Sequence, residues 1–283
     1  MKYTRMLILA MVAGFVAQAG ALSRPINEPR DPPNCERAAA LAYCRYVGPD
    51  PQIVLMTGLG NAMQSWQPSL LEALSRFAGV IVYDRRGHGA SAPLPQEPVT
   101  AQAAAADLNA LLESLAIRQP VVLVGHSLGG LYAQFFARNY PRKVAAVVLL
   151  DAASPFEPIA DPRFHTRANL VAGSTDDWEN RGLDASVLAT RESPAFPRVP
   201  LIVLSATDHQ SPANFEEEWQ RIQRRTADQS QLGRLVVAQG SGHDIQNDRA
   251  PLVIDQIRQL VVELRKHAEP HAAKPLEVTE RTR

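Results

Sequence analysis

The chain lacks any excess of charge. Lysine plus arginine and aspartate plus glutamate each total 29, so the formal net charge is zero. Without a net field to hold a polyanion, no nucleic-acid binding is expected. It also lacks a long apolar run. The longest stands near the start, from Met6 to Ala17, and is too short for an ordinary membrane-spanning helix. Cysteine is scarce, with two residues in 283, Cys35 and Cys44. One disulfide is the most they can make; it would close a loop of about ten residues and stabilise the fold by roughly 2–3 kcal/mol. A pair of buried thiols is the alternative reading. No internal repeat is present.

The apolar N-terminal run follows Lys2 and Arg5 and leads into Ala17-Gln18-Ala19 and Ala19-Gly20-Ala21. A basic start, a short apolar stretch and small residues at a cleavage site form the pattern of a secretory signal peptide. Residues 1–21 are read as that signal, with cleavage after Ala19 or Ala21 and no stable membrane anchor left behind. An uncleaved anchor is the competing reading. No cysteine stands at the cleavage point, which argues against a lipoprotein. N-terminal sequencing of the exported protein is expected to start at Gly20 or Leu22; a retained Met1 would contradict cleavage. Export would place the chain where a disulfide can persist, in the periplasm or outside the cell.

Over the whole sequence, hydrophobic content of 46% and charged content of 20% fit one globular domain. A Pro-rich leader is assigned to 22–34, the domain to 35–266 and a polar, disordered tail to 267–283. Within the domain, Ala42–Val47 looks like a strand. The apolar runs Gln52–Thr57, Val80–Asp84, Val121–Val124, Val144–Leu150, Leu201–Ser205 and Arg234–Ala238 do not alternate with polar residues. Strands buried on both faces of a mostly parallel sheet read this way. Between them lie helical patterns, with Leu108, Leu111, Leu112 and Leu115 on one face of 101–116, and Val253, Ile257, Leu260 and Leu264 near the end. The expected architecture is α/β, with helices on both faces of the sheet. The stretch 152–199 breaks the rhythm with prolines and charges, and is read as a small lid over the C-terminal edge of the sheet.

The strongest chemical signal is Gly125-His126-Ser127-Leu128-Gly129, which follows the run ending at Val124 and precedes a helical segment. Strand, G-x-S-x-G, helix is the pattern of a nucleophile elbow, which lifts a serine hydroxyl above the sheet next to a helix N-terminus. Its bland counterpart is a Gly-rich turn carrying an inert serine. A serine nucleophile needs a base, and histidine titrates near neutrality. Of seven histidines, His243 in Gly240-Ser241-Gly242-His243 stands after the last strand and before the final helix, which brings it to the same sheet edge. His126 is expected to point away, His88 lies in a Gly-rich loop, His165 in the lid, and His267 and His271 in the tail. His209, just past a strand, is a minor rival. Trp66, Trp178 and Trp219 could line a pocket or simply pack, with Trp178 in the lid the better pocket candidate.

With Val54-Leu55-Met56-Thr57-Gly58-Leu59-Gly60 and Asp84-Arg85-Arg86-Gly87-His88-Gly89, these stretches make the chain resemble the α/β-hydrolase-fold family, in its serine-nucleophile, short-cap form. The resemblance extends over most of the chain after the signal, and its motifs specify the fold rather than a substrate. It implies an acyl-enzyme mechanism on a small acyl substrate, with no cofactor and no metal. It also implies an oxyanion hole from the backbone N–H groups of Leu59 and Leu128, each such donor being worth about 3–4 kcal/mol in the transition state. Thr57 stands where the family usually has histidine. The family's usual acid follows the strand Leu201–Ser205, which offers Asp208, although the loop is one residue short; Asp151, at the end of Val144–Leu150, is the alternative. Asp84 is read as a turn residue. Esterase action leads; proline iminopeptidase-like action, C–C bond hydrolysis and perhydrolysis share the same triad. A non-catalytic binding protein on this fold is the reading from a different class. Oligomeric state and substrate are not legible.

Overall fold

The computed structural model describes residues 34–165, 170–211 and 213–268. The expected signal, the leader up to residue 33 and the tail beyond residue 268, with His271, lie outside the described residues.

Eight strands form one sheet in the order β1-β2-β4-β3-β5-β6-β7-β8. Strands β1 (Asn34–Ala38) and β2 (Leu41–Tyr46) make an antiparallel hairpin, and β2 lies antiparallel to β4 (Val80–Tyr83). From β4 onward β3 (Ile53–Met56), β5 (Val121–His126), β6 (Val144–Leu150), β7 (Leu201–Ala206) and β8 (Gly233–Ala238) run parallel. The hairpin brings Cys35 opposite Cys44, where they form a disulfide, so the open question of these thiols closes in favour of the bridge.

The apolar runs that fail to alternate in sequence do alternate in space. Val121 and Leu123 of β5 face one side, where they pack with Leu108 and Leu111 of α2 (Ala101–Ser114), Leu131 and Phe136 of α3 (Leu128–Asn139) and Val187 of α6 (Leu183–Glu192). Val122 and Val124 face the other side, against Leu70 and Leu74 of α1 (Pro68–Ser75) and Val253, Ile257 and Leu260 of α9 (Ala250–Ala268). Both sides are apolar because both are covered, and each such fully buried side chain contributes about 1.5–3 kcal/mol. Helix α2 starts where the Thr100 side chain accepts the Ala103 N–H.

Three features differ from expectation. β8 is half-exposed, with Val237 45% accessible, because it is the outer strand and helices cover it incompletely. Helix α9 continues through His267 to Ala268, past the expected start of the tail. The lid stretch is more regular than its prolines suggest, carrying α4 (Pro162–His165), α5 (Thr175–Arg181) and α6. In α5 the Ser174 side chain caps the N-terminus by accepting the Asp177 N–H. Helix α7 (Ala213–Ala227) joins β7 to β8, and the short α8 (Ile245–Asp248) precedes α9. Among the described residues, no helix is long and apolar enough to cross a membrane.

Candidate active site

The turn from β5 into α3 places Ser127 at φ 51° and ψ −122°, a conformation that costs a non-glycine residue about 1–3 kcal/mol. Its neighbours hold it there. Ser127 donates its N–H to the Leu150 carbonyl at 3.1 Å, and its own carbonyl accepts from Gly130 at 2.9 Å and Ala153 at 3.0 Å. The flanking glycines answer to close packing: a side chain at Gly129 would collide with the carbonyls of Met56 and Thr57, and one at Gly125 with the backbone of Gly130. The Ser127 hydroxyl has no hydrogen-bond partner among the described residues, and Ser127 lines a cavity of about 510 Å³ together with His243, Leu59 and Leu128.

His243 lies in the loop between β8 and α8, with its Nδ1 2.7 Å from Asp151 Oδ2. A carboxylate accepts, so Nδ1 carries the proton and Nε2 presents its lone pair. Asp151 is the first residue past β6, wholly buried, at φ 43°. Its Oδ1 accepts from the Trp219 Nε1–H at 2.7 Å and the Ala206 N–H at 2.9 Å, and its Oδ2 also accepts from His209 Nε2 at 2.7 Å. Burial alone would push this carboxyl up, but the hydrogen bonds from His209 and His243 outweigh it and hold it well below the usual range.

The expected acid Asp208 is elsewhere. It is exposed, two residues beyond β7, and it donates its backbone N–H to the Ser241 carbonyl at 3.0 Å. Thr207 donates to the same carbonyl at 3.1 Å, so the shortened loop braces the His243 loop through its backbone while the carboxylate at the end of β6 reaches the imidazole. Two further expectations are corrected. His126 does not point away: it is buried, its ring lies 4.7 Å from that of His243, and Nε2 donates to the His243 carbonyl at 3.1 Å. Burial first and the neighbouring His243 second hold His126 down at about 4, so it stays neutral in this role. Trp178 is absent from the residues around the cavity and stacks under the Arg181 guanidinium instead, and Trp66 is buried in the core. The tryptophan in the cavity wall is Trp219.

The loop after β3 sits directly on the nucleophile, since a Cβ at Gly58 would stand 3.2 Å from Ser127 Cβ. The Leu59 N–H has no acceptor among the described residues, and Leu128, as the first residue of α3, has no intrahelical one. Both residues are buried and face the cavity. A buried network fixes this loop. Arg85 donates to the Thr57 carbonyl at 2.6 Å, to Thr57 Oγ1 and Gly58 O at 2.8 Å, and to Glu179 of α5. Glu179 accepts the Gly60 N–H at 2.8 Å, and His88 Nε2 lies 3.1 Å from its other oxygen. Burial would raise the Glu179 carboxyl, but the Arg85 charge and the His88 and Arg85 hydrogen bonds hold it well below its ordinary value. Thr57, where the family has histidine, is thus the hydroxyl that accepts from Arg85 and donates to the Asn61 carbonyl at 2.8 Å. Asp84 braces the neighbouring turn by accepting the Met63 N–H at 2.6 Å.

Asp151, His209 and His243 are residue types that bind metals, with candidate atoms within 4.8 Å of one another. Four N–H donors already occupy the Asp151 oxygens, so the cluster is a hydrogen-bonded one and its donors do not form a metal cage. The cavity wall is completed by Leu183, Phe164, Phe215 and Trp219 on its apolar side and by Arg163 and Asn180. Arg163 is paired with Asp161 at 2.6 Å and Glu218 at 2.8 Å, which leaves no free cation there for an anionic ligand.

A family model described as alpha/beta hydrolase fold matches residues 51–198. YqjL of Bacillus subtilis (strain 168), a protein named as uncharacterized, is 26% identical over 207 residues, covering 71% of this chain and 79% of that one. Further curated relatives are matched over half of their own length or less. A thermophilic esterase from Thermogutta terrifontis superposes with a TM-score of 0.60 at 22% identity, covering 82% of this chain and 98% of that one. An enol-lactonase from Burkholderia xenovorans LB400 gives a TM-score of 0.61 at 22% identity, over 81% of this chain and all of that one, 100%. Likeness at these identities extends to the fold.

Proposed function

This chain belongs to the alpha/beta hydrolase fold family, and we propose that within it the protein is a serine hydrolase that cleaves an ester or related acyl bond of a small, uncharged substrate. The observation that carries the reading is the 2.7 Å bond from His243 Nδ1 to buried Asp151, with Ser127 at a strained elbow on the same cavity. His243 Nε2 takes the Ser127 proton as Oγ attacks the carbonyl carbon. The N–H groups of Leu59 and Leu128 receive the developing oxyanion. The protonated His243 then gives its proton to the departing alcohol, leaving an acyl-Ser127. Water enters, loses a proton to Nε2 and attacks the acyl carbon; Ser127 recovers its proton as the acid leaves. Asp151 keeps the His243 tautomer throughout and stabilises the transient imidazolium.

The apolar and aromatic wall and the paired Arg163 favour an uncharged acyl group over an anionic one. Export remains part of the proposal, supported by the N-terminal pattern and by the Cys35–Cys44 disulfide, a bond typical of oxidising compartments. The experiment is hydrolysis of p-nitrophenyl acetate, butyrate and octanoate. Turnover of at least one of them, abolished in Ser127→Ala, is expected; a folded protein that turns over none would overturn the reading.

A further inference from the structure

His209 is not needed for the reaction as written, yet it occupies the same carboxylate oxygen as His243. Its Nε2 lies 2.7 Å from Asp151 Oδ2, and its Nδ1 lies 2.9 Å from both Glu216 oxygens on α7. A neutral imidazole has one N–H and could satisfy one of these carboxylates; the other would face a lone pair. Only the imidazolium fits both. The ring is also fixed in orientation, edge-on to Phe215 at 5.2 Å and to Trp219 at 5.4 Å, and Glu216 Oε1 accepts the His209 backbone N–H at 2.8 Å.

We propose that His209 is a positioning residue, a fixed imidazolium that shares Asp151 with His243 and sets the pH range over which Ser127 is activated. The inference rests on the triad reading above. Two cations on one oxygen oppose each other, and the His209 and His243 rings are 6.3 Å apart. With His209 charged, part of the Asp151 charge is already neutralised, so a second positive charge on the same carboxylate is opposed. Among the described residues, the titratable groups around His209 are Asp151 from β6, Glu216 from α7 and His243 from the loop after β8, with neutral His126 and Asp244 behind His243 and buried Glu157 on the wall of the same cavity. Across the cavity, Arg163 is held by Asp161 and Glu218. On its own loop the neighbour is exposed Asp208.

Burial lowers the affinity of His209 for its proton, but the hydrogen bonds and charges of Asp151 and Glu216 outweigh this and raise it to about 9. A histidine raised in the folded state stabilises fully below its ordinary value near 6.5, and that contribution is lost as pH rises through about 9. Above about pH 9 one of the two carboxylates therefore loses its donor, and the stability that this proton supplied is expected to be lost in a thermal-unfolding measurement across that range.

The test compares wild type, His209→Gln and Glu216→Gln. In the kcat/KM profile on p-nitrophenyl butyrate, the acidic midpoint of His209→Gln is expected about one to two pH units above wild type, the effect of removing a charge at this separation. A lower plateau with an unmoved midpoint is what a structural role would give, and it would overturn the proposal. Nitrogen-15 NMR of the wild-type ring needs no turnover: His209 is expected doubly protonated at pH 7.5, deprotonating at least about one unit lower in Glu216→Gln. A singly protonated His209 in an active enzyme would overturn this inference alone. An inert Ser127 beside a doubly protonated His209 would overturn the hydrolase reading, and the role of His209 with it.

Discussion

Asp151→Asn is expected to lower kcat/KM on a p-nitrophenyl ester by about 10⁴-fold, while Asp208→Ala leaves it within about threefold. The size follows from how an amide must orient there. The Oδ1 position faces two donors, the Trp219 Nε1–H and the Ala206 N–H, so the amide oxygen turns toward them. The amide nitrogen is then left facing the two histidines. His243 must accept at Nδ1, which moves its own proton to Nε2, and the lone pair that should receive the Ser127 proton is gone. Asp208 supplies a backbone N–H to the Ser241 carbonyl, which alanine retains. Steady-state kinetics on the two variants decides between them; near-normal turnover in Asp151→Asn with loss in Asp208→Ala would reverse the assignment.

Ser127→Ala is the second large effect, a fall in kcat of about 10⁶-fold. Removing the hydroxyl removes the covalent path, while the donors of Leu59 and Leu128 and the cavity remain. A residual rate of about 10³- to 10⁴-fold over water is what those parts alone supply. The backbone bonds that hold position 127, to Leu150, Gly130 and Ala153, do not involve the side chain, so the variant is expected to fold with the same circular dichroism as wild type. A variant retaining more than about a hundredth of wild-type turnover would place the nucleophile elsewhere.

Much of this site is written in local sequence. The β5 run, the elbow and α3 are contiguous, and the glycines at 125 and 129 stand where side chains would collide. His243 is legible because a loop after the last parallel strand must emerge at the same edge as the elbow. The acid is not legible in this way. Asp151 and Asp208 both follow a strand in the same sheet, and what separates them is burial and the four donors that converge on one of them. Those donors come from β7, α7 and two loops, and stand 55, 58, 68 and 92 residues from Asp151 in the chain. The same holds for Arg85 and Glu179, whose 94-residue separation hides a buried pair inside segments that read as an ordinary turn and an irregular lid. Trp219 falls on an apolar period of α7 with Phe215 and Ile222, which reads as core packing, and Glu216 is one of three consecutive acids there, while Trp178 stands out in sequence only for lying in the lid. The exposure of β8 was hidden because composition does not say which strand is outermost.

The most direct measurement for a serine nucleophile activated by Asp151-held His243 is labelling with a fluorophosphonate, followed by peptide mapping. One adduct, on Ser127, is expected in the wild type, forming much more slowly in Asp151→Asn and not at all in Ser127→Ala. A folded wild-type protein that takes no label, or takes it on a different residue, would contradict the account.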